Sequence, residues 1–251
     1  MRPSTRGDGS VDPGDTGATG GDSPSGLDGG PWCVAHGDAA FFCSDFDEQP
    51  LASEWNRVDQ AAFGSISLDT VTFTSPLRSL RIKLNPNAPP CSYMKVQRKA
   101  LSPAVGRMRA AFDLFLGDVN SGAAEPSAYV AELRSDVNGA GCVYLLYAGQ
   151  GIPGILEQVQ AYDGGGRSQV HNFAQGAAGG RWRHVSIDVN FLAVPKGTLS
   201  VTIDGTSVLD ADPIFPECAA KGTPDIELGF HCMGDTQAHE VRFDNVTLDT
   251  K

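Results

Sequence analysis

The stretch Gly180-Arg181-Trp182-Arg183-His184-Val185-Ser186-Ile187-Asp188-Val189, resumed as Leu199-Ser200-Val201-Thr202-Ile203-Asp204-Gly205-Thr206-Ser207-Val208, decides the fold. Successive side chains of a strand point to opposite faces, so Val185, Ile187 and Val189 make one apolar face and Val201 and Ile203 another. Asp204-Gly205 supplies residues that tolerate positive φ, which predicts a hairpin turn that brings Val208 back to pair.

The same texture runs outward in both directions. Short apolar alternations predict strands over 41–46, 65–69, 79–84, 93–98, 107–116, 128–135, 143–147, 155–162, 169–173, 182–189, 199–204, 226–232 and 240–249. Asn138-Gly139, Gly164-Gly165-Gly166 and Gly179-Gly180 supply turn chemistry between them. With no amphipathic helix pattern, this is the signature of an all-β, antiparallel sandwich of two sheets. Residues 1–31 are almost wholly Gly, Pro, Ser, Thr and Asp, with Val11 and Leu27 nearly the only sizeable apolar side chains after Met1. Such a segment cannot repay the entropy of ordering, so 1–31 is predicted to be a disordered linker ahead of one domain, 32–251.

Lys and Arg number 19 against 30 Asp and Glu, a formal charge of -11, so a nucleic-acid backbone or anionic membrane surface is repelled. No run is long and apolar enough for a transmembrane segment. The six cysteines show neither a Cys-x-x-Cys pair nor zinc-ligand spacing, which points to disulfides and an oxidising compartment. The opening MRPSTRGDG lacks the apolar stretch of a signal peptide. An extracytoplasmic monomer is expected, secreted or surface-tethered as a lipoprotein is, with its export signal upstream.

The Trp-x-His-Val, strand, Asp-Gly pattern of residues 182–205 resembles a hairpin of laminin-G-like and concanavalin A-like jelly rolls. The ends of the domain extend the resemblance: Phe41-Phe42-Cys43-Ser44-Asp45-Phe46-Asp47 and Val241-Arg242-Phe243-Asp244-Asn245-Val246-Thr247-Leu248-Asp249 match the first and last strands, which lie side by side in this superfamily and leave no open edge. Membership of the concanavalin A-like lectin/glucanase superfamily would imply a jelly roll but no single activity. Within that picture, proximity and loop setting favour the disulfides Cys33–Cys43, Cys91–Cys142 and Cys218–Cys232. Related jelly rolls hold a structural calcium near the seam of the end strands, and Asp45, Asp47 and Asp244 offer the oxygens calcium prefers.

Glucanases of this fold use a Glu-x-Asp-x-x-Glu strand, yet no glutamate here has an aspartate two residues later. Alginate-lyase-like members carry an Arg-rich strand with Glu-Leu, a Gln-x-His strand and a Tyr-and-Lys strand. Glu132-Leu133-Arg134 and Gln169-Val170-His171 match the first two and the third is missing. A binding face is favoured instead. Val130, Glu132 and Arg134 share one side of their strand, Leu156, Gln158, Gln160 and Tyr162 one side of theirs, and Gln169, His171 and Phe173 one side of a third. Glu132, Arg134, Gln158, Gln160, Tyr162 and His171 are therefore the candidate contacts for a polysaccharide or glycan. His36, His231 and His239 are expected to stand alone, without a spaced ligand partner. The expected function is a carbohydrate-binding or adhesion module; a polysaccharide lyase or glycoside hydrolase of the same fold, and a structural or protein-contact domain, stay open.

Overall fold

The computed structural model describes residues 32–36, 42–47, 50–60, 62–89, 92–100, 106–117, 128–135, 142–148, 155–163, 165–193, 196–215, 218, 223–233 and 238–251. Residues 1–31, expected to be a linker, and Phe41, Cys91, Asn138-Gly139 and Gly164 lie outside them.

Among the described residues two antiparallel sheets form the fold. The eight-stranded sheet contains β1 (Phe42–Ser44), β3 (Gly64–Asp69), β4 (Ser79–Leu84), β6 (Arg107–Leu116), β11 (Trp182–Asn190), β12 (Thr198–Ile203), β13 (Thr206–Pro213) and β15 (His239–Thr250). The seven-stranded sheet contains β2 (Arg57–Gln60), β5 (Ser92–Lys99), β7 (Ala128–Arg134), β8 (Val143–Ala148), β9 (Ile155–Tyr162), β10 (Ser168–Ala178) and β14 (Asp225–Met233). Their orders are β13-β12-β11-β6-β15-β4-β3, with β1 beside β15, and β10-β9-β8-β7-β14-β5-β2. The expected strands recur within a residue or two of their predicted ends, except that only Phe42–Ser44 pairs at the start and β10 runs on to Ala178. Strand β13 is the return strand expected after the Asp204-Gly205 turn; strand β2 and the short helices α1 (Trp32–His36) and α2 (Leu51–Glu54) were not expected.

The hairpin of β11 and β12 pairs Val185 with Ile203 and Ile187 with Val201. Asp204 and Gly205 both take positive φ, and the Asp204 carboxylate clips the turn by accepting from the His184 N–H at 2.9 Å and from Arg183 at 2.7 Å. Val208 does not pair as expected. Val201 pairs with Leu209 and Thr202 with Ser207, so Val208 is the extra residue of a bulge. The end strands meet as expected, with Phe42 opposite Leu248 and Ser44 opposite Val246.

The apolar faces pack between the sheets. Leu80, Ile82, Phe112, Leu114, Val185, Ile187 and Phe243 come from one sheet; Met94, Val96, Leu133, Tyr144, Leu146, Val159, Ile226, Leu228 and Phe230 come from the other. Phe112 meets Phe243 edge-on across 5.8 Å, a favoured aromatic geometry.

Cys33 bonds Cys43, as expected, and Cys142 bonds Cys218. The second bond overturns both Cys91–Cys142 and Cys218–Cys232. Sequence proximity misled because β14 lies beside β7, with Asp225 opposite Arg134. Cys142 sits at the facing ends of β7 and β8, where the Ser135 N–H donates to the Cys142 carbonyl, and Cys218 reaches it there.

Candidate functional site

Along β14, Ile226, Leu228 and Phe230 enter the core, so Asp225, Glu227 and His231 occupy the outer face. The same alternation puts Tyr93, Lys95 and Gln97 of β5 and Glu132 and Arg134 of β7 on that face. Register aligns them: Glu227 lies directly opposite Glu132 on one side and Gln97 on the other, and Gly229 opposite Lys95. Bulges then interrupt adjacent strand pairs. They fall between Phe230 and Met233 in β14–β5, Leu228 and His231 in β14–β7, Tyr129 and Ala131 in β7–β8, and Tyr147 and Ala148 in β8–β9. Bulges bend a strand and re-aim its side chains. Here they bring Tyr129 beside both Tyr147 and His231.

The outcome is a recessed ionic cluster. Although they face away from the core, Glu132, Glu227 and His231 are 3%, 1% and 1% exposed. Two glutamates directly opposite each other repel, and two cations offset that repulsion: Lys95 bonds Glu227 and Arg134 bonds Glu132. Arg134 also lies 3.8 Å from Glu227. His231 sits between the carboxylates, Nδ1 3.5 Å from Glu132 and Nε2 3.6 Å from Glu227. Tyr129 covers the imidazole at 4.7 Å between ring centroids, and Tyr93 meets it edge-on at 6.2 Å. Gln97 donates to Asp225 at 2.9 Å.

Burial sets the protonation of this cluster. It pushes the Asp225 carboxyl up to about 6 and raises Glu132 against the pull of Arg134. It also raises the Tyr129 phenol, which keeps its proton, and holds His231 well below the ordinary imidazole value, hence neutral. Among the described residues, Glu132, Glu227 and His231 are the group whose potential ligand atoms lie within 4.8 Å of one another. Lys95 and Arg134 already supply the positive charge there, which disfavours a divalent cation.

Of the expected contacts, Glu132, Arg134, Gln158, Gln160 and Tyr162 share this face. Leu145 links Glu132 to Gln160, Tyr147 neighbours Gln158, and Val143 lies between Arg134 and Tyr162. His171 does not join them. It pairs with Val159, a core residue, and reaches Asp212 of β13 at 3.1 Å between the sheets. The sequence reading missed Tyr93, Lys95, Gln97, Tyr129, Tyr147, Asp225 and Glu227, and His231 is not alone as expected. Polar residues alternating with the apolar runs of β5 and β14 were the available signal.

Asp45, Asp47 and Asp244 serve a different segment. Asp244 accepts from the backbone N–H groups of Thr74 and Ser75 at 2.8 and 3.0 Å and from both hydroxyls. Asp47 accepts from the backbone of Leu77 and Arg78, and Asp45 from that of Cys33. The first two carboxylates fasten residues 74–78 to the end strands.

No protein-family model and no curated protein matches the chain. Solved structures do. An endo-β-1,4-glucuronan lyase from the fungus Trichoderma reesei superposes with a TM-score of 0.62 at 13% identity, over 84% of this chain and 96% of the lyase. The marine PL-14 alginate lyase from Aplysia kurodai gives 0.56 at 11% identity, over 84% and 99%. The binding domain of Paraclostridial mosquitocidal protein 1 gives 0.56 at 13% identity, over 85% of this chain and 49% of that one. At such identities the likeness is one of architecture, and the chain is an all-β protein with the concanavalin A-like jelly-roll fold.

Proposed function

We propose that the outer face of the seven-stranded sheet binds an extracellular polysaccharide and that the cluster at its centre cleaves the chain by β-elimination. One observation carries this reading: Lys95, Arg134, neutral His231 and protonated Tyr129 converge in a recess on a face that sheets of this kind ordinarily present to water. Elimination from a uronate removes the proton on the carbon next to the carboxylate, breaks the bond to the glycosidic oxygen, and leaves a carbon–carbon double bond. A neutral imidazole suits acceptance of that proton and a protonated phenol suits donation of its own proton to the departing oxygen, after which proton transfer from the imidazolium to the phenolate restores both groups. Arg134, a third exposed, is placed to meet the carboxylate. The lyases among the structural neighbours support the same direction. Disulfides and polysaccharide-acting neighbours favour an extracellular setting. Among the described residues no helix is long and apolar enough to cross a membrane.

A binding module without chemistry is the second reading, favoured by the engagement of both Lys95 and Arg134 with glutamates in the resting protein. Ultraviolet absorbance of unsaturated products, followed on a panel of polyuronates with wild type, Tyr129→Phe and His231→Gln, separates the two. Turnover that both variants lose supports elimination. Binding without turnover by wild type supports the module, and neither binding nor turnover overturns both.

A further inference from the structure

A second polar recess lies on the outer face of the other sheet. It encloses about 370 Å³ between β6, β11 and β12, at the small end of the roughly 300–1,000 Å³ of ligand pockets. Arg107 and Arg109 stand on one side, and Thr198, Ser200 and Thr202, at every second residue of β12, line the other. Between them lies Asp188, which is spent on Arg107 through bonds of 2.8 and 3.0 Å to Nε. Arg109 differs. Among the described residues its guanidinium makes one hydrogen bond, from Nε to the Ser186 hydroxyl at 2.9 Å, and no ion pair. In register Arg109 lies between Asp188 and Asp249, of which the first is bonded to Arg107 and the second lies 3.4 Å from Lys251, so the lining keeps one net positive charge, on Arg109, in a protein whose formal charge is -11. The Ser200 oxygen accepts from the Ala211 N–H at 3.0 Å, which leaves its own proton to donate. Further along β11 and β6, about 14 Å from Ser186 at roughly 3.4 Å per residue, Trp182 and Phe115 meet edge-on at 5.7 Å and offer an apolar platform.

We propose that this groove is a second carbohydrate site, separate from the recessed cluster, that takes an anionic sugar residue with its carboxylate on Arg109 and its hydroxyls on the Thr198, Ser200 and Thr202 row. The planar guanidinium matches a carboxylate through paired N–H donors, and the row of hydroxyls both donates and accepts, as sugar hydroxyls require. A neutral sugar of the same shape lacks the group that Arg109 reads.

Two trisaccharides isolate that requirement: β-1,4-linked triglucuronate, and cellotriose, which differs in lacking the carboxylates. Each is titrated into the full chain while backbone amide resonances are followed by NMR. Triglucuronate moves the resonances of 186–190 and 198–202, and cellotriose leaves them in place. Arg109→Gln, at an exposed position, weakens that response about tenfold without altering the response of 129–134 and 225–231 on the other sheet. Unmoved 186–202 resonances, equal binding of cellotriose, or an unchanged response in Arg109→Gln would each overturn the proposal. Failure of the recessed face to respond bears on the proposed function alone.

Discussion

Replacing Gly229 by alanine tests how β14 is held against β5. Gly229 has a φ of 129°, a region side chains rarely adopt. A Cβ there would come within 2.1 Å of the Met94 carbonyl oxygen, 2.9 Å of the Lys95 Cα and 3.0 Å of Ile82. The first two are backbone atoms of the paired strand, so relief requires pushing β5 away or breaking the ladder. Backbone strain of about 1–3 kcal/mol and overpacking of about 1–3 kcal/mol together predict a loss of about 2–6 kcal/mol. At about 2–4 °C per kcal/mol for a domain of this size, the melting temperature falls by roughly 4–24 °C. Gly180→Ala is the control: its φ is also positive, but nothing lies within 4 Å of the added carbon, and the strain alone predicts about 1–2 kcal/mol. Urea unfolding of both variants with matched m-values measures the difference. Melting of Gly229→Ala within 2 °C of Gly180→Ala, on the scale of about 2–4 °C per kcal/mol, would refute the close approach of the two strands.

Three further outcomes follow from the same contacts. Opening Cys142–Cys218, which closes a loop of 76 residues, costs about 4.5 kcal/mol by chain entropy against about 2.7 kcal/mol for the 10-residue loop of Cys33–Cys43; paired Cys→Ser variants in urea test the order, and a larger loss at Cys33–Cys43 contradicts it. Asp225 binds its proton more tightly folded than unfolded, so its contribution to stability is complete below the ordinary carboxylate range and is lost as pH rises through about 6. Asp225→Asn should lessen that decline, by up to about 3 kcal/mol, and parallel pH–stability curves for the two proteins would exclude it. Chelator should leave the melting temperature unchanged, since Asp244 and Asp47 are engaged by backbone N–H groups; a drop on chelation, restored by calcium, would show that an ion shares those oxygens.

Period-two alternation made the strands and the two-sheet fold legible, because burial of one face writes itself into every second residue, and the seam of the end strands came from the resemblance to concanavalin A-like jelly rolls. It also placed Glu132, Arg134, Gln158, Gln160 and Tyr162 together, since β7, β8 and β9 are neighbours in both sequence and space. Alternation tells which face a residue occupies and says nothing about distant partners. Lys95 and Glu227 are 132 residues apart and meet only because β14 inserts between β5 and β7. The failure of Cys91–Cys142 and Cys218–Cys232 has the same origin, and bulges account for the remainder. One extra residue left Val208 unpaired, and another aligned Tyr129 with Tyr147. Nothing in composition marks a bulge.

The most direct test of the recessed face as a polysaccharide site is the dissociation constant of the full chain for tetrauronates, measured by calorimetry for wild type and for Tyr93→Ala combined with Arg134→Lys. Tyr93 is 47% exposed and the Arg134 side chain 33%, and lysine keeps the positive charge beside Glu132, so the double variant is expected to keep the fold. Loss of affinity by about tenfold or more, with an unchanged melting temperature, is the expected result. Equal affinity of the two proteins would place the sugar elsewhere and contradict the assignment.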